Sequence, residues 1–413
     1  MTEALVIAGA GQAAGQASAS LRQKGYEGRI VMIGDAQHIP YQRPPLSKKY
    51  LAGEIDKERL YVKPEHFYPK HDIEIRLETR VESIDRSAKS IHLSDGSDLA
   101  YSKLLLATGS RVRNLSVAGA ELNGIFYLRK IVDVLAIQPQ FKAGRKLVIV
   151  GAGYIGLEVA AVAVKKGLDV TIVEAEQHVM NRVVAPAISS FFQQAHEEAG
   201  VKIEFGRTVK EFRGDATVSE VVCTNGESFA ADFCIVGIGI LPNQEVAAEA
   251  GIDCDNGIVV NEFCQTSDLN VLAAGDCTRH PNALIGINLR LESVHNAIEQ
   301  GKTAAAAICG TPVAYNQIPW FWSDQYDLKL QIVGLNNGYD QLILRGDPAS
   351  RSFAGFYLRG DKLLAVDAIN SPREFMLAKK LIKTGARIAP QDIADNDKDF
   401  KSLATAALAA VSG

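Results

Sequence analysis

Two stretches of this 413-residue chain follow one local pattern, an apolar run, a glycine-rich turn and then a helix of small residues. In the first, EALVIA at residues 3 to 8 enters Gly9-Ala10-Gly11, an Ala-rich helix is expected to about Lys24, and a second strand follows at 29 to 33. The second starts with KLVIV at 146 to 150, turns through Gly151-Ala152-Gly153, and continues as a helix to about Lys166 and a strand at 169 to 173. Strand, glycine turn, helix and returning strand make a βαβ unit, and such units build parallel sheets with helices on their faces. The expected fold class is therefore α/β, with two Rossmann-like βαβ nucleotide-binding domains.

The turns also carry chemistry. Gly9-x-Gly11-x-x-Ala14 sits where glycines permit a tight turn and let the amides at a helix N-terminus approach a pyrophosphate. Asp35, 26 positions after Gly9 at the end of the next strand, is placed to accept hydrogen bonds from ribose hydroxyls. In the second unit Gly151-x-Gly153-x-x-Gly156 is the full fingerprint, and Glu174 follows its strand, 23 positions after Gly151. A carboxylate there repels a 2'-phosphate, and Ala175 and Glu176 supply no arginine to receive one, so NADH is expected rather than NADPH. One chain with two such sites has a use for both only if electrons move between them, which points to a tightly held flavin and an exchanging nicotinamide.

Composition narrows the alternatives. A formal net charge of -4 and a pI near 6.1 give no general attraction to nucleic acid or anionic lipid. No stretch is long enough to span a membrane and no leader precedes the first strand, so a cytoplasmic protein is expected. The six cysteines, at 223, 234, 254, 264, 277 and 309, lack the spacing of a redox pair or zinc knuckle. They read as buried, reduced thiols, and no metal site is expected.

From Trp320 the pattern changes to alternating apolar positions, among them Leu328, Leu330, Ile332, Leu342 and Leu344, which predicts an antiparallel sheet in a C-terminal α+β domain. A helix is predicted from Pro372, with Ser371 as N-cap, Glu374 completing a capping box and Gly385 closing it. The predicted organisation is an FAD-binding domain of residues 1–113 and 245–319, an NAD-binding domain of 114–244, and a C-terminal domain of 320–413.

Several further motifs carry a family resemblance: Tyr41-Gln42-Arg43-Pro44-Pro45-Leu46-Ser47-Lys48, Ala107-Thr108-Gly109, the segment Gly151 to Glu158, Ala273-Ala274-Gly275-Asp276, and Pro319 to Tyr326 (PWFWSDQY). On these the chain resembles the FAD-dependent pyridine nucleotide reductases of glutathione-reductase-like fold, and within them the NADH:ferredoxin reductases of bacterial oxygenase systems. The resemblance implies that the first unit, through Gly9, Gly11, Ala13, Ala14 and Asp35, holds the ADP half of FAD. Asp276 after Gly275 would face the ribityl chain, Arg43 and Lys48 would lie near the flavin and its phosphates, and Val81, Ala107, Thr108, Gly109, Arg129 and Val294 would make further FAD contacts. For NADH it implies Gly151, Gly153, Tyr154, Ile155, Gly156, Glu174 and Gly237.

Lys48 and Glu158, which the resemblance implies pair with each other, are the charged candidates beside the reacting centre, and Trp322 is a candidate cover for the flavin. The implied partner is a two-iron ferredoxin serving a haem-thiolate or other oxygenase, with Arg290 and the helix cations Arg373, Lys379, Lys380 and Lys383 as candidate docking contacts. Disulfide reductases of this superfamily keep a cysteine pair just after the first unit, and peroxidases a single one. Residues 36 to 52 contain none, so thiol chemistry at the flavin is not expected. Rubredoxin, monodehydroascorbate, oxygen or peroxide as acceptor, and a redox-sensing interaction protein of the apoptosis-inducing-factor type, stand as alternatives.

Overall fold

Every residue of the strand Ala4–Ala8 is buried, as is every residue of Ile30–Ile33 beside it, which is why both read as continuous apolar runs rather than alternating ones. The computed structural model describes residues 4–412, which divide into two units. One comprises the chain up to Arg43 with Asp56–Arg111 and Ile240–Pro319; the other comprises Pro44–Ile55, Val112–Gly239 and the chain from Trp320 onward.

In the first unit the parallel strands run in the order Ile73–Arg76, Ile30–Ile33, Ala4–Ala8, Asp98–Leu106, Val271–Ala273. The first residues of Asp98–Leu106 pair instead with Ser90–Leu93, which continues antiparallel to Val81–Asp85. Helices Gln12–Gln23 and Val294–Ile308 pack closely because Gly301 carries no side chain; a Cβ there would stand 2.8 Å from the carbonyl oxygen of Ala13.

The second unit contains the same parallel arrangement, Lys202–Phe205, Asp169–Glu174, Lys146–Val150, Phe233–Val236, Ile125–Tyr127, with a three-stranded antiparallel meander spanning Val209–Gly214, Val218–Cys223 and Ser228–Ala230. Its remaining sheet is antiparallel and five-stranded, in the order Trp320–Gln325, Leu328–Gly334, Lys362–Ile369, Ser352–Arg359, Gln341–Asp347.

Helix Pro372–Thr384 lays Phe375, Ala378 and Leu381 against that sheet, while Ile382 is only half-buried. Gly385 ends it at φ 69°, and the Ala386 amide donates to Leu381 O at 3.1 Å. The expected capping box does not form. Asn370 turns the chain at φ 49° straight out of the preceding strand, leaving Ser371 at ψ 63° rather than the extended value an N-cap needs. The Ser371 hydroxyl lies 3.5 Å from that of Ser352, and Glu374 lies 3.6 Å from Arg373. Among the described residues no helix is long and apolar enough to cross a membrane.

Candidate active site

The first glycine turn is fixed by contact. Gly9 has φ 120°, and a Cβ there would stand 2.1 Å from the Ala107 oxygen, so no other residue fits. Gly11 is the N-cap of Gln12–Gln23 and supplies no side-chain cap; a Cβ on it would meet nothing within 4 Å. Helix Val294–Ile308 makes the contrast, because Ser293 caps it by accepting from the Asn296 amide at 3.1 Å. An uncapped helix start that opens onto free space suits a phosphate, whose oxygens take the place of the missing cap.

Around this turn, Ala13 and Ala14 are buried and Asp35 is exposed at its strand end. The Gly275 amide donates to Gln300 Oε1 at 2.7 Å, and Asp276 accepts from the Ser110 hydroxyl at 3.0 Å. Thr108 donates to the Asn243 carbonyl at 2.6 Å, and Asn243 returns a bond to the Thr108 carbonyl at 2.9 Å, so the 107–109 turn is tied down from both sides. Arg43 lies across the Tyr41 ring at 5.3 Å. Val81 packs its side chain into the core with Leu93, and Val294 is the first residue of its helix.

The second turn repeats the design. Gly151 has φ 102°, with the site of a Cβ 2.6 Å from the Gly237 oxygen, and a Cβ on Gly156 would stand 2.2 Å from the oxygen of Gly151. Gly153, the N-cap of Tyr154–Lys165, is again without a side-chain cap and faces open space. Glu174 accepts from the amides of Ala152 at 2.6 Å and Glu176 at 2.9 Å, which hold its carboxylate at the strand end while each oxygen keeps a lone pair for a hydroxyl. Tyr154 stacks on Phe321 at 4.7 Å, and burial, with Asp367 and Glu158 adding to it, raises its hydroxyl pKa well above the usual value. Ile155 is exposed. Arg182, which was not among the residues expected at this site, brings its guanidinium within 3.9 Å of the position a Cβ would take on Gly239, two residues beyond Gly237. No motif marks it, because its loop is irregular.

In the second unit Lys48 and Glu158, 110 residues apart, meet at 2.6 Å, with Glu158 1% and Lys48 14% exposed along their side chains. The lysine also donates to the Pro44 carbonyl at 3.0 Å. Ser47 donates to the same carboxylate oxygen as Lys48, and Ser323 donates to the other at 2.6 Å. Both oxygens are thus satisfied, as a buried charge requires. Trp322 stacks on Trp320 at 5.5 Å, and Trp320 in turn meets Phe375 and carries Lys379 over its ring.

Of the candidate docking cations, Arg290 folds onto Glu292, Arg373 pairs with Asp399, and Lys379 covers Trp320; Lys380 and Lys383 are exposed. All six cysteines are free, four of them buried and Cys254 and Cys309 half-buried.

Residues 3–301 match the family described as pyridine nucleotide-disulphide oxidoreductase, and residues 320–404 match the reductase C-terminal family. The chain is 43% identical to putidaredoxin reductase of Pseudomonas putida, over 99% of this chain and 98% of that one. It is 42% identical to rhodocoxin reductase of Rhodococcus erythropolis, over 96% and 93% of the two. Among solved structures, the covalent putidaredoxin reductase–putidaredoxin complex superposes with a TM-score of 0.96 at 42% identity, covering 98% of this chain and 99% of that chain. With both glycine turns and both matched regions in place, the chain belongs to the pyridine nucleotide-disulphide oxidoreductase family.

Proposed function

We propose that this protein is an FAD-dependent NADH:ferredoxin reductase that supplies electrons to an oxygenase system. The observation that carries the reading is the pair of glycine turns, each ending at an uncapped helix start, in a chain with no cysteine where thiol-using relatives place theirs. The bound cofactors supply a hydride from the nicotinamide to the flavin and then single electrons to a two-iron ferredoxin.

The chain's own residues bind and orient. Residues 1–113 and 245–319 hold FAD, with the Gly9 turn at its pyrophosphate, Asp35 at the ribose, Asp276 at the ribityl chain and Arg43 neutralising phosphate charge. Arg129, Val81 and Val294 complete that site. Residues 114–244 hold NADH, with Gly151, Gly153 and Gly156 at its pyrophosphate and Glu174 on the adenosine ribose, while Tyr154, Ile155 and Gly237 shape the rest. Residues 320–413 form the C-terminal domain, where Trp322 covers the flavin. Lys48, held by Glu158, presents its ammonium beside the flavin, where a positive charge favours extra electron density. A cytoplasmic location is part of the proposal, and six cysteines without a disulfide fit a reducing compartment.

The test is cytochrome c reduction driven by NADH or NADPH, with and without a purified two-iron ferredoxin. The expected result is strong stimulation by ferredoxin and a large preference for NADH. A rate indifferent to ferredoxin would overturn the acceptor, and equal use of NADPH would overturn the role of Glu174.

A further inference from the structure

The hydrogen bonds that reach Glu158 continue outward through the second unit. Ser323 Oγ, which donates to Glu158 Oε1 at 2.6 Å, lies 3.1 Å from Gln325 Nε2. Gln325 Oε1 is 2.8 Å from His196 Nε2, and His196 Nδ1 is 2.9 Å from the Tyr326 hydroxyl. His196, Gln325 and Ser323 are all buried.

One arrangement of protons satisfies all four contacts. An amide oxygen only accepts, so His196 carries its proton on Nε2. Burial keeps the ring neutral, lowering its pKa to about 4, and a neutral ring with Nε2–H accepts at Nδ1. Tyr326 therefore donates to His196, His196 to Gln325, Gln325 to Ser323 and Ser323 to Glu158. Reversing the chain would turn the Ser323 hydroxyl back toward Gln325 and strip Glu158 Oε1 of its donor. A buried carboxylate at one end thus selects the direction of the whole row.

The outer end is held under strain. Tyr326 has φ 55°, a left-handed conformation that bulky residues rarely adopt, and its ring lies 4.9 Å from that of His196. A hairpin turn alone would be served better by glycine or asparagine. An aromatic residue at this position has the hydroxyl contact to explain it.

We propose that Tyr326, His196, Gln325 and Ser323 are positioning residues, a one-directional hydrogen-bond chain that fixes the Glu158 carboxylate and, through it, the Lys48 ammonium. The proposal rests on the reading that Lys48 stands beside the flavin. Ser323 keeps one carboxylate oxygen occupied so that the other is turned to the lysine, and the three residues behind it keep the serine proton pointing inward.

The test uses the FAD-loaded enzyme with Ser323→Ala and Tyr326→Phe, each made alone and in a Lys48→Met background. Tyr326 is at the surface, so its variant does not threaten folding. Three quantities are read: the rate of anaerobic flavin reduction by NADH, the NADH dissociation constant, and the flavin midpoint potential. Ser323→Ala is expected to slow reduction about tenfold and to shift the potential with NADH affinity unchanged, and Tyr326→Phe to act in the same direction less strongly. Both effects are expected to vanish when Lys48 is already Met.

Unchanged rate and potential in the single variants, or an undiminished loss in the Lys48→Met background, would overturn the chain. Lys48→Met that by itself left rate and potential untouched would instead remove the placement of the lysine, and with it this role. Nitrogen-15 shifts of His196, assigned with His196→Gln, give an independent readout; a proton on Nδ1 in the wild type would show the row running the other way.

Discussion

A charge as deeply buried as Glu158 is tolerable only with its partner present. Glu158→Leu leaves the Lys48 ammonium largely out of water without a counter-ion, and a loss of about 3–5 kcal/mol in unfolding free energy is expected. Lys48→Met combined with Glu158→Leu removes both charges, so the double variant is expected to recover most of that loss in urea unfolding. The Asp367 carboxyl is a different case, buried without a cation. Burial raises its pKa to about 7, although Tyr357 donates a hydrogen bond to it at 2.5 Å. Between about pH 4 and pH 7 it is protonated in the folded chain and ionised in the unfolded one, so unfolding releases a proton and stability falls as pH rises through that window. Asp367→Asn is expected to lose less stability than wild type between pH 5 and pH 8, measured as the shift in melting temperature. A parallel fall in the two proteins would show that the carboxyl is not the source.

At the scale of elements, the two ends of helix Pro372–Thr384 make opposite predictions. Ser371 makes no N-cap bond, so Ser371→Ala is expected to cost under about 0.5 kcal/mol instead of the 1 kcal/mol usual for a capping serine. Gly385 is in the left-handed region, so Gly385→Ala is expected to cost about 1 kcal/mol. Chemical denaturation of the two variants measures both. The same helix shows what sequence could and could not reveal. Its apolar spacing, Pro372 and the closing glycine were legible, because each acts within a few residues. The missing capping box was not, because it depends on how Asn370 turns the chain out of the strand Lys362–Ile369. Likewise KLVIV at 146–150 appears as a strand with those bounds, whereas Val81–Asp85, whose outer face is polar, and the helices Pro186–Glu198 and Phe400–Ser412 carried no signal that sequence reading used. In the site, the glycine turns are local and readable. The Lys48–Glu158 contact came from family resemblance; Ser323 stood in the PWFWSDQY motif without a role, and its bond to Glu158, like that of His196 to Gln325, entered only with the fold, since these partners lie 165 and 129 residues apart.

For the whole molecule, recognition of an acidic ferredoxin needs positive charge that is not already used internally. Intramolecular contacts engage Arg290, Arg373 and Lys379, whereas Lys380 and Lys383 are exposed on the proposed docking helix with no ion pair among the described residues. Reversing both to Glu is expected to lower ferredoxin-dependent turnover severalfold at low salt, to flatten its salt dependence, and to leave NADH-driven ferricyanide reduction unchanged. Equal turnover at low salt would move the docking surface elsewhere. The placement of the cysteines bears on how such docking is followed. Burial raises the pKa of all six thiols, with Cys234 pushed to about 12, and none is fully exposed. To an alkylating reagent at neutral pH the native surface is therefore almost blank. A single cysteine introduced at Lys380 would outcompete every natural one, so a fluorophore or nitroxide placed there would report a ferredoxin's arrival in real time, with the wild-type interior left as it is.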